Sequence, residues 1–571
     1  MNALKRTFAT ACAVTLLSAC SAPATPDLVS TNSTQQSASQ IAGVADTATL
    51  RSITSDSRSE NNLSAPSNSD ELRAGLTNKD LPANNVITEA GIYQLSGELK
   101  SGLTISAPED AVIVLELNNA SLSSEESAGL TVTQAKTVLL DLTGENSVTG
   151  ASTMTTDDDV NAAIHSAADI AIDGTGTLKV TSEKADGINT SGGFTFFDGN
   201  LEIQAGDDGI RAKDFAQITG GTVAITSGGD GIKSDNEENE ARGVVDISGG
   251  DISITSVADA IDAATDIILS GGTLELKTTG TDSSPHALKA GTVVVIDGAQ
   301  VTAESAADGI NSDGNIYMVD GNITVTALDD GLNAVRDLKI LGGTVTVTDS
   351  VEAIEALTVT INGGDITLHS SDDGINASID DSIASENPRP AISISDGNLT
   401  VFADADGIDS NGEFTITGGN TTVIGPQTHD NGAFDVDGAF SVTGGTLIGI
   451  GNGGMPRTPD DGQGWIQQSI SVAKDGTVIV RDSEQAPIVN FTAETDATSL
   501  FVSAPTIETG KTYEIEADGE TYSTTAGEAT GMGMGPQGSG QPPMGQPMME
   551  PPTGNIPPGV MNDQRQTAQS S

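Results

Sequence analysis

The sequence predicts an all-β fold: a right-handed parallel β-helix with rungs of about 22 residues, closed by a β-rich C-terminal cap. The first observation is an Asp-Gly-Ile step that begins at Asp186, Asp208 and Asp230, three positions spaced 22 residues apart. The step returns at 308–310, 330–332 (with Leu), 373–375 and 406–408. The second is a Gly-Gly pair in the same phase, followed by an alternating run such as Thr-Val-Thr-Val-Thr at 344–348. A β-propeller is disfavoured because a blade needs about 40–45 residues.

Within each repeat, two or three β-branched runs are separated by glycine turns, and no helical period lies between them. Parallel strands stacked at about 4.8 Å satisfy this pattern, with inward Ile, Val and Leu forming one narrow core. We expect the glycine after each aspartate to supply a left-handed backbone conformation at the corner. The longer intervals 230–259 and 373–406 predict loops that leave the solenoid and are candidates for recognition.

Composition excludes several kinds of partner and site. A formal charge of −56 repels nucleic acid and anionic bilayers, so no nucleic-acid partner is expected. The two cysteines, Cys12 and Cys20, lie near the N-terminus, which leaves no disulfide framework or thiolate metal site in the folded part. A single tryptophan, Trp465, is too few for an aromatic sugar platform.

The N-terminus predicts export and lipidation. Lys5 and Arg6 precede an apolar run over 8–17, and Leu-Ser-Ala-Cys at 17–20 resembles the lipobox of bacterial lipoproteins. The resemblance implies a signal peptide at 1–19, lipidation of Cys20 and attachment to the cell envelope through lipid only. In a Gram-negative cell, Ser21 implies the outer membrane. The alternative is an ordinary secreted protein with a chance cysteine at the cleavage site.

The remaining boundaries follow from composition and period. Residues 20–75 carry the lipidated cysteine and a flexible Ser/Thr linker, 76–468 the β-helix, 469–530 the cap and 531–571 a disordered Gly/Met/Pro tail.

Stacked rungs would align the corner aspartates about 4.8 Å apart. Two such charges repel by about 1 kcal/mol in water and about 3.5 kcal/mol at an effective dielectric constant of 20, which bound cations would relieve. Carboxylate and amide oxygens are the ligands that calcium prefers, and Asn or Asp recurs three residues after most of the corner aspartates, as at Asn189, Asn311 and Asn333. We therefore expect calcium as the cofactor. The alternative is that each aspartate only caps its own turn, with the column screened by solvent. The candidate metal ligands are Asp186, Asn189, Asp208, Asp230, Asp235, Asp308, Asn311, Asp313, Asp330, Asn333, Asp373, Asn376, Asp406 and Asp409.

The segments 87–97 and 115–120, followed by the corner motifs 230–236 and 247–250, resemble the bacterial parallel β-helix carbohydrate-binding domain family. The resemblance runs from about residue 76 to 527. It implies a right-handed β-helix with calcium at its corners that binds cellulosic or polygalacturonate-like polysaccharide without catalysis. The sequence departs from the family pattern at His286 and at Ala260, Ala287 and Ala353, where corner glycine is missing, so calcium is not expected at those rungs.

The expected function is calcium-dependent binding of cellulosic or acidic, pectin-like polysaccharide at the cell surface. The first alternative is a calcium-dependent polysaccharide lyase, with Arg211, Lys213, Lys233 or Lys289 as the base. The second is an adhesin or structural spacer without sugar specificity. No catalytic residue is expected, and the histidines have no metal-ligand spacing.

Overall fold

The structure is a computed structural model that describes residues 65–281, 284–428, 431–452 and 457–530. It is a parallel β-solenoid of about 16 turns with rungs of about 23 residues, 57% strand and 2% helix, followed by a β-rich C-terminal region. The predicted parallel β-helix is therefore confirmed. The predicted signal peptide 1–19, the predicted lipidation site Cys20, most of the predicted linker and the predicted tail 531–571 lie outside the described residues.

Three faces, each a column of parallel strands, form the wall of the solenoid, and each rung runs from face 3 to face 1 and then to face 2. Face 1 contains the strands Asn78–Lys79, Thr137–Thr143, Asp169–Gly174, Gly193–Phe196, Phe215–Ile218, Val244–Ile247, Asp266–Leu269, Glu413–Ile416, Phe440–Val442 and Asp461–Gly462. Face 2 contains Glu145–Thr149, Thr177–Thr181, Asn200–Ala205, Thr222–Ser227, Asp251–Ser256, Thr273–Thr278, Thr344–Asp349, Asn420–Ile424 and Thr446–Gly451.

Face 3 has the shortest strands, which begin just after the repeated corner. Its strands are Val86–Ile87, Leu103–Ser106, Leu130–Gln134, Ala162–Ser166, Asp186–Thr190, Ile210–Ala212, Ile232–Ser234, Ile261–Ala263, Leu288–Ala290, Ile310–Ser312, Ile375–Ala377, Ile408–Ser410 and Phe434–Val436. Longer strands bend from one face to the next: Gly91–Leu99, Val112–Ser123, Val293–Ser305, Asn315–Ala327, Leu332–Ile340, Ile354–Ser370 and Ala391–Ala403.

The core lies inside the solenoid and is built by in-register stacking of apolar side chains. On face 3, Ile188 pairs with Ile210 and Ile210 with Ile232, and all three are fully buried. The second glycine of the Gly-Gly pairs has a positive φ, for example +71° at Gly221 and +79° at Gly343, so these turns need glycine.

The extra residues of the two long repeats leave the solenoid at one edge of face 3. They form the connections 235–243 and 378–390 between face 3 and face 1, the second containing the 3₁₀ helix Ala384–Glu386.

Part of the expected linker is structured. Helix α1, Ser69–Arg73, begins where the Asn68 side chain accepts the N–H of Glu71, and Leu72 packs against the outer surface of the first rungs. Arg73 forms an ion pair with Glu116 at 3.0 Å. A capped turn with one apolar contact holds this helix on the solenoid, so the expected linker over 20–75 is not flexible at 69–73.

The C-terminal region is antiparallel. Trp465–Val472 pairs with Ala497–Ser503, which also pairs antiparallel with Thr446–Gly451 of face 2. A second, four-stranded sheet has the order Pro487–Thr492, Thr477–Arg481, Thr512–Ala517, Glu520–Thr525. Ala529–Thr530 belongs to the large sheet, where it pairs in parallel with Trp465–Val472. The antiparallel region begins at Trp465, a few residues before the expected boundary, and it covers an otherwise open strand edge. Across the described residues, no helix is long and apolar enough to cross a membrane.

Candidate functional site

The repeated aspartates lie at the turn between faces 2 and 3, which we call the acidic corner. They occupy equivalent positions because the apolar residue two places later pairs in register from rung to rung. The side chains are buried, with relative exposures of 7% or less at Asp186, Asp208, Asp230, Asp308 and Asp330. The aspartates at 373 and 406 are half-buried.

A ladder of hydrogen bonds joins the acidic corners of adjacent rungs. The Oδ1 atom of Asp186 accepts the N–H of Asp208 at 3.2 Å, and Oδ1 of Asp208 accepts the N–H of Asp230 at 2.8 Å. The same bond runs from the N–H groups of Asp259, His286, Asp330, Glu352, Asp406 and Gly432 to the preceding corner acid. The alternative in which each aspartate only caps its own turn is wrong here, because the amide two residues later, as at Ile188, bonds to a carbonyl of the next rung.

The corner glycines have a different role from the one expected. Positive φ angles occur at the Gly-Gly pairs but not at Gly187, Gly209 or Gly231, so the left-handed prediction for the corner is wrong. These glycines are needed for space. A Cβ at Gly209 would lie 2.4 Å from Cγ2 of Ile225 and 2.5 Å from the carbonyl oxygen of the next corner.

The second carboxylate oxygen faces the residue three positions later, on the outer side of face 3. The amide of Asn189 donates to Oδ2 of Asp186 at 2.7 Å, and Asn311 and Asn333 make the same bond to Asp308 and Asp330 at 2.8 and 3.1 Å. The recurrent asparagine thus orients the carboxylate.

Burial and mutual repulsion raise the pKa of several corner acids. Burial, followed by the charges of Asp230 and Asp186, raises the pKa of Asp208 to about 7. Burial and the charge of Asp308 raise the pKa of Asp330 to about 7. Burial and the charge of Glu355 raise the pKa of Glu352 to about 8. The ionised form of each is therefore costly unless a cation or a proton neutralises it.

Four groups of acids bring one oxygen from each member within 4.8 Å of the others among the described residues. These groups are Asp186–Asp207–Asp208, Asp230–Asp259–Asp262, Asp308–Asp329–Asp330 and Asp330–Glu352–Glu355. They are buried acidic clusters that could hold a metal ion.

Within the part of the chain that the structure describes, basic side chains form direct ion pairs only in the middle of the column, and the charge of Arg211 acts on Asp186 of the first cluster without an ion pair. Lys233 lies 2.5 Å from Asp230 and 3.1 Å from Asp262, and Lys289 lies 3.4 Å from Asp259. From Asp330 onwards, no Lys, Arg or His nitrogen among the described residues lies within 4.0 Å of a corner carboxylate. The group Asp330–Glu352–Glu355 is therefore the acidic cluster with the greatest need of a cation.

The predicted ligands divide into three sets. Asp186, Asp208, Asp230, Asp308 and Asp330 join the clusters. Asn189, Asn311 and Asn333 bond to them, and Asn376 donates to Glu352 at 3.1 Å. The others stand apart: Asp235 binds Arg211 at 2.6 Å, Asp313 is exposed, and Asp373, Asp406 and Asp409 join no such group among the described residues.

Sequence reasoning missed several cluster members. Asp207 and Asp329 precede corner aspartates, and the doubled Asp-Asp-Gly motif could have indicated them. Asp259 and Glu352 lie at corners where alanine replaces glycine, and acids converge there too. Glu355 is in register with Asn333 on the preceding rung.

The four basic residues considered as a lyase base are placed in ion pairs or close to acids. Arg211 binds Asp235, and the Lys213 Nζ lies 3.8 Å from Glu238. Burial acts to lower the pKa of Lys233, but Asp230 outweighs it and raises the pKa above the ordinary value. A lysine that keeps its proton this firmly is poorly suited to act as a base.

Comparison with known proteins identifies the family. A family model described as "Carbohydrate-binding domain-containing protein" matches residues 83–331 and 320–486, well over half of the chain. No curated protein matches the chain. A solved structure titled "Structure of the polysaccharide lyase-like protein from C. thermocellum, Gadolinium derivative" is 28% identical, with a TM-score of 0.34 and coverage of 38% of this chain and 86% of that one. The extent of the family match, over a solenoid with repeated acidic corners, shows that this chain belongs to the carbohydrate-binding domain-containing family.

Proposed function

We propose that this protein is a lipid-anchored cell-surface protein that binds cellulosic or acidic, pectin-like polysaccharide and depends on calcium to do so. The observation that carries the proposal is the cluster Asp330–Glu352–Glu355, whose oxygens converge without a basic partner among the described residues. Membership of a carbohydrate-binding family supports the ligand class.

The chemistry of the cluster fits calcium. Calcium takes about six to eight oxygen ligands, mainly carboxylates, carbonyls and water, and it tolerates irregular geometry. Asp330, Glu352 and Glu355 would supply the carboxylates. The pKa values of Asp330 and Glu352 are raised, so a divalent ion would stabilise their costly ionised forms. Calcium, when bound, supplies open coordination positions for a sugar carboxylate or hydroxyl. The protein's part is to hold these carboxylate oxygens close together, so that a cation can neutralise them in place of a proton.

We propose binding without catalysis. Lys233 and Lys289 are paired with corner acids, which keep both lysines protonated, and Arg211 is held by Asp235. Incubation with polygalacturonate should therefore give no increase in the ultraviolet absorbance of unsaturated uronates. An increase that is lost in a K233Q or K289Q variant would replace this proposal with a lyase.

The anchor at Cys20 is part of the proposal, with the cell envelope as location and the outer membrane in a Gram-negative cell. Metabolic labelling with a fatty acid should label the natural chain and leave a Cys20→Ser variant unlabelled. Equal labelling of both would contradict the anchor.

The test of binding is retention of the purified protein on insoluble polygalacturonate and on cellulose. We expect retention in calcium, loss after chelation, and recovery when calcium is added back. An E352Q/E355Q variant should need a higher calcium concentration, whereas E275Q, an exposed acid on face 2, should behave as the natural chain. Retention that is unchanged by chelator would contradict the calcium dependence.

A further inference from the structure

A polar groove lies on face 3, beside the first acidic cluster. Its floor is formed by His165, Asn189 and Arg211, which stand in register on three adjacent rungs. Lys213 follows at the end of the last of these strands. The groove has a volume of about 400 Å³.

Two connections form the sides of this groove. One, at 150–161, joins face 2 to face 3 and contributes Asp159. The other is the long connection 235–243, whose first residue is Asp235. The insertion that the sequence marked as a candidate for recognition thus borders a concave surface, as binding sites on rigid scaffolds often do.

Arg211 and Lys213, the cations of the groove, have N–H groups that are not used in hydrogen bonds within the described residues. Arg211 donates from Nε at 2.9 Å and Nη2 at 2.6 Å to one oxygen of Asp235, while its Nη1 donates no hydrogen bond within the described ranges. Lys213 is 45% exposed, and its 3.8 Å separation from the exposed Glu238 is too long for a hydrogen bond. Asp235 thus fixes the guanidinium without using all of its donors.

The charge of the groove is unusual for this molecule. The chain carries 24 Lys and Arg against 80 Asp and Glu, and yet two cations line one concave surface, with Asp159 and Asp235 as the acids that also line it. A guanidinium presents paired N–H groups that match a carboxylate, and a lysine adds a point charge. The groove is therefore complementary to a small anion surrounded by hydroxyl groups.

We infer that this groove binds a uronate residue of an acidic polysaccharide directly, with Arg211 and Lys213 receiving the sugar carboxylate and Asn189 a hydroxyl group. The inference rests on the proposed function for the class of polymer, but it does not use calcium. Asn189 also donates to Asp186 of the first acidic cluster, so one polymer could meet the groove and that cluster together.

The test measures the affinity of the natural chain and of K213Q and R211Q for polygalacturonate by titration calorimetry. Loss of one charge-assisted contact should weaken binding about tenfold. The matched control is K277Q, which removes an exposed lysine on face 2. Circular dichroism checks that each variant is folded, and exposed Lys213 is the residue whose loss the fold tolerates best.

Each outcome separates this inference from the proposed function. If K213Q and R211Q bind polygalacturonate with the same affinity as K277Q, the inference that the groove binds uronate is wrong. This holds even if chelator abolishes retention and so supports the calcium dependence. Weakening in K213Q and R211Q when chelator has no effect would support the groove and contradict the calcium dependence. A carboxyl-reduced polymer should bind weakly and respond little to K213Q; an equal response would overturn the role of the carboxylate.

Discussion

Neutralising one buried corner acid should stabilise the metal-free protein and destabilise the calcium-bound protein. Asp208 is 6% exposed and lies between Asp186 and Asp230, and its Oδ1 accepts the N–H of Asp230. Asparagine has nearly the same shape and keeps an oxygen for that bond. An Asp208→Asn substitution therefore removes the charge and leaves the ladder in place.

The magnitude follows from the pKa of Asp208, which rises from an ordinary value of 3.8 to about 7. At about 1.4 kcal/mol per unit, the ionised carboxylate costs the folded state up to about 4 kcal/mol. Because the folded pKa is above the unfolded one, the folded chain holds the extra proton between about pH 4 and pH 7. The free energy of unfolding therefore falls as pH rises through this interval, and the full cost is present above pH 7.

The assay is hydrogen exchange of the rungs around residue 208, in chelator and in calcium, at pH 5 and pH 8. In chelator at pH 8, the amides of D208N should exchange at least about tenfold more slowly than those of the natural chain, with a smaller difference at pH 5. In calcium the order should reverse, because the amide is a weaker ligand. D251N, an exposed acid on face 2, should show no change. Equal exchange of D208N and the natural chain in chelator at pH 8 would refute the reasoning.

Three further substitutions test other parts of the structure by thermal unfolding and limited proteolysis. Gly209→Ala should destabilise the protein by about 1–3 kcal/mol, because its Cβ would lie 2.4 Å from a core methyl group. Phe414→Ala should cost about 3–5 kcal/mol, because this fully buried ring stacks on Phe440 at 4.9 Å. Lys233→Gln should make stability depend more strongly on calcium, because it leaves the buried Asp230 without its cation.

A different result would contradict the prediction for each of these three substitutions. An unchanged melting temperature in G209A would show that the corner has room for a methyl group. In F414A, unchanged protease resistance of the last rungs would mean that the aromatic stack does not hold them. A K233Q variant with the same calcium response as the natural chain would show that Asp230 is neutralised in another way.

The fold could be predicted because the regular spacing of the repeat determines how its strands stack. The Asp-Gly-Ile step places an inward isoleucine, such as Ile210, at the same point of each rung, and a constant interval forces in-register stacking. The corner glycine was misjudged because sequence shows that a small residue is needed without showing whether backbone angle or space requires it. At Gly209 the limiting contact comes from Ile225, which lies 16 residues later on the face 2 strand Thr222–Ser227.

The sequence predicts that acidic side chains form a column at the corner, but it does not predict which acids converge in each cluster. One acid per rung follows from the motif, but the group around Asp330 also draws on Glu352 and Glu355 from the following rung. The ion pair between Arg211 and Asp235 joins residues 24 positions apart, across a rung and the start of an insertion. Such contacts depend on how side chains extend between rungs, which the spacing of a motif does not specify.

Where the hydrogen-bond ladder joins successive corners, it makes the repeats interchangeable modules. Each unit presents an acceptor towards the unit that follows and a donor towards the unit before, as at Asp186, Asp208 and Asp230. A whole unit can therefore be gained or lost between two others with all of these polar groups still matched, whereas a partial unit would leave both neighbours mismatched. Genes for such a chain can change its length by tandem duplication, in steps of one turn.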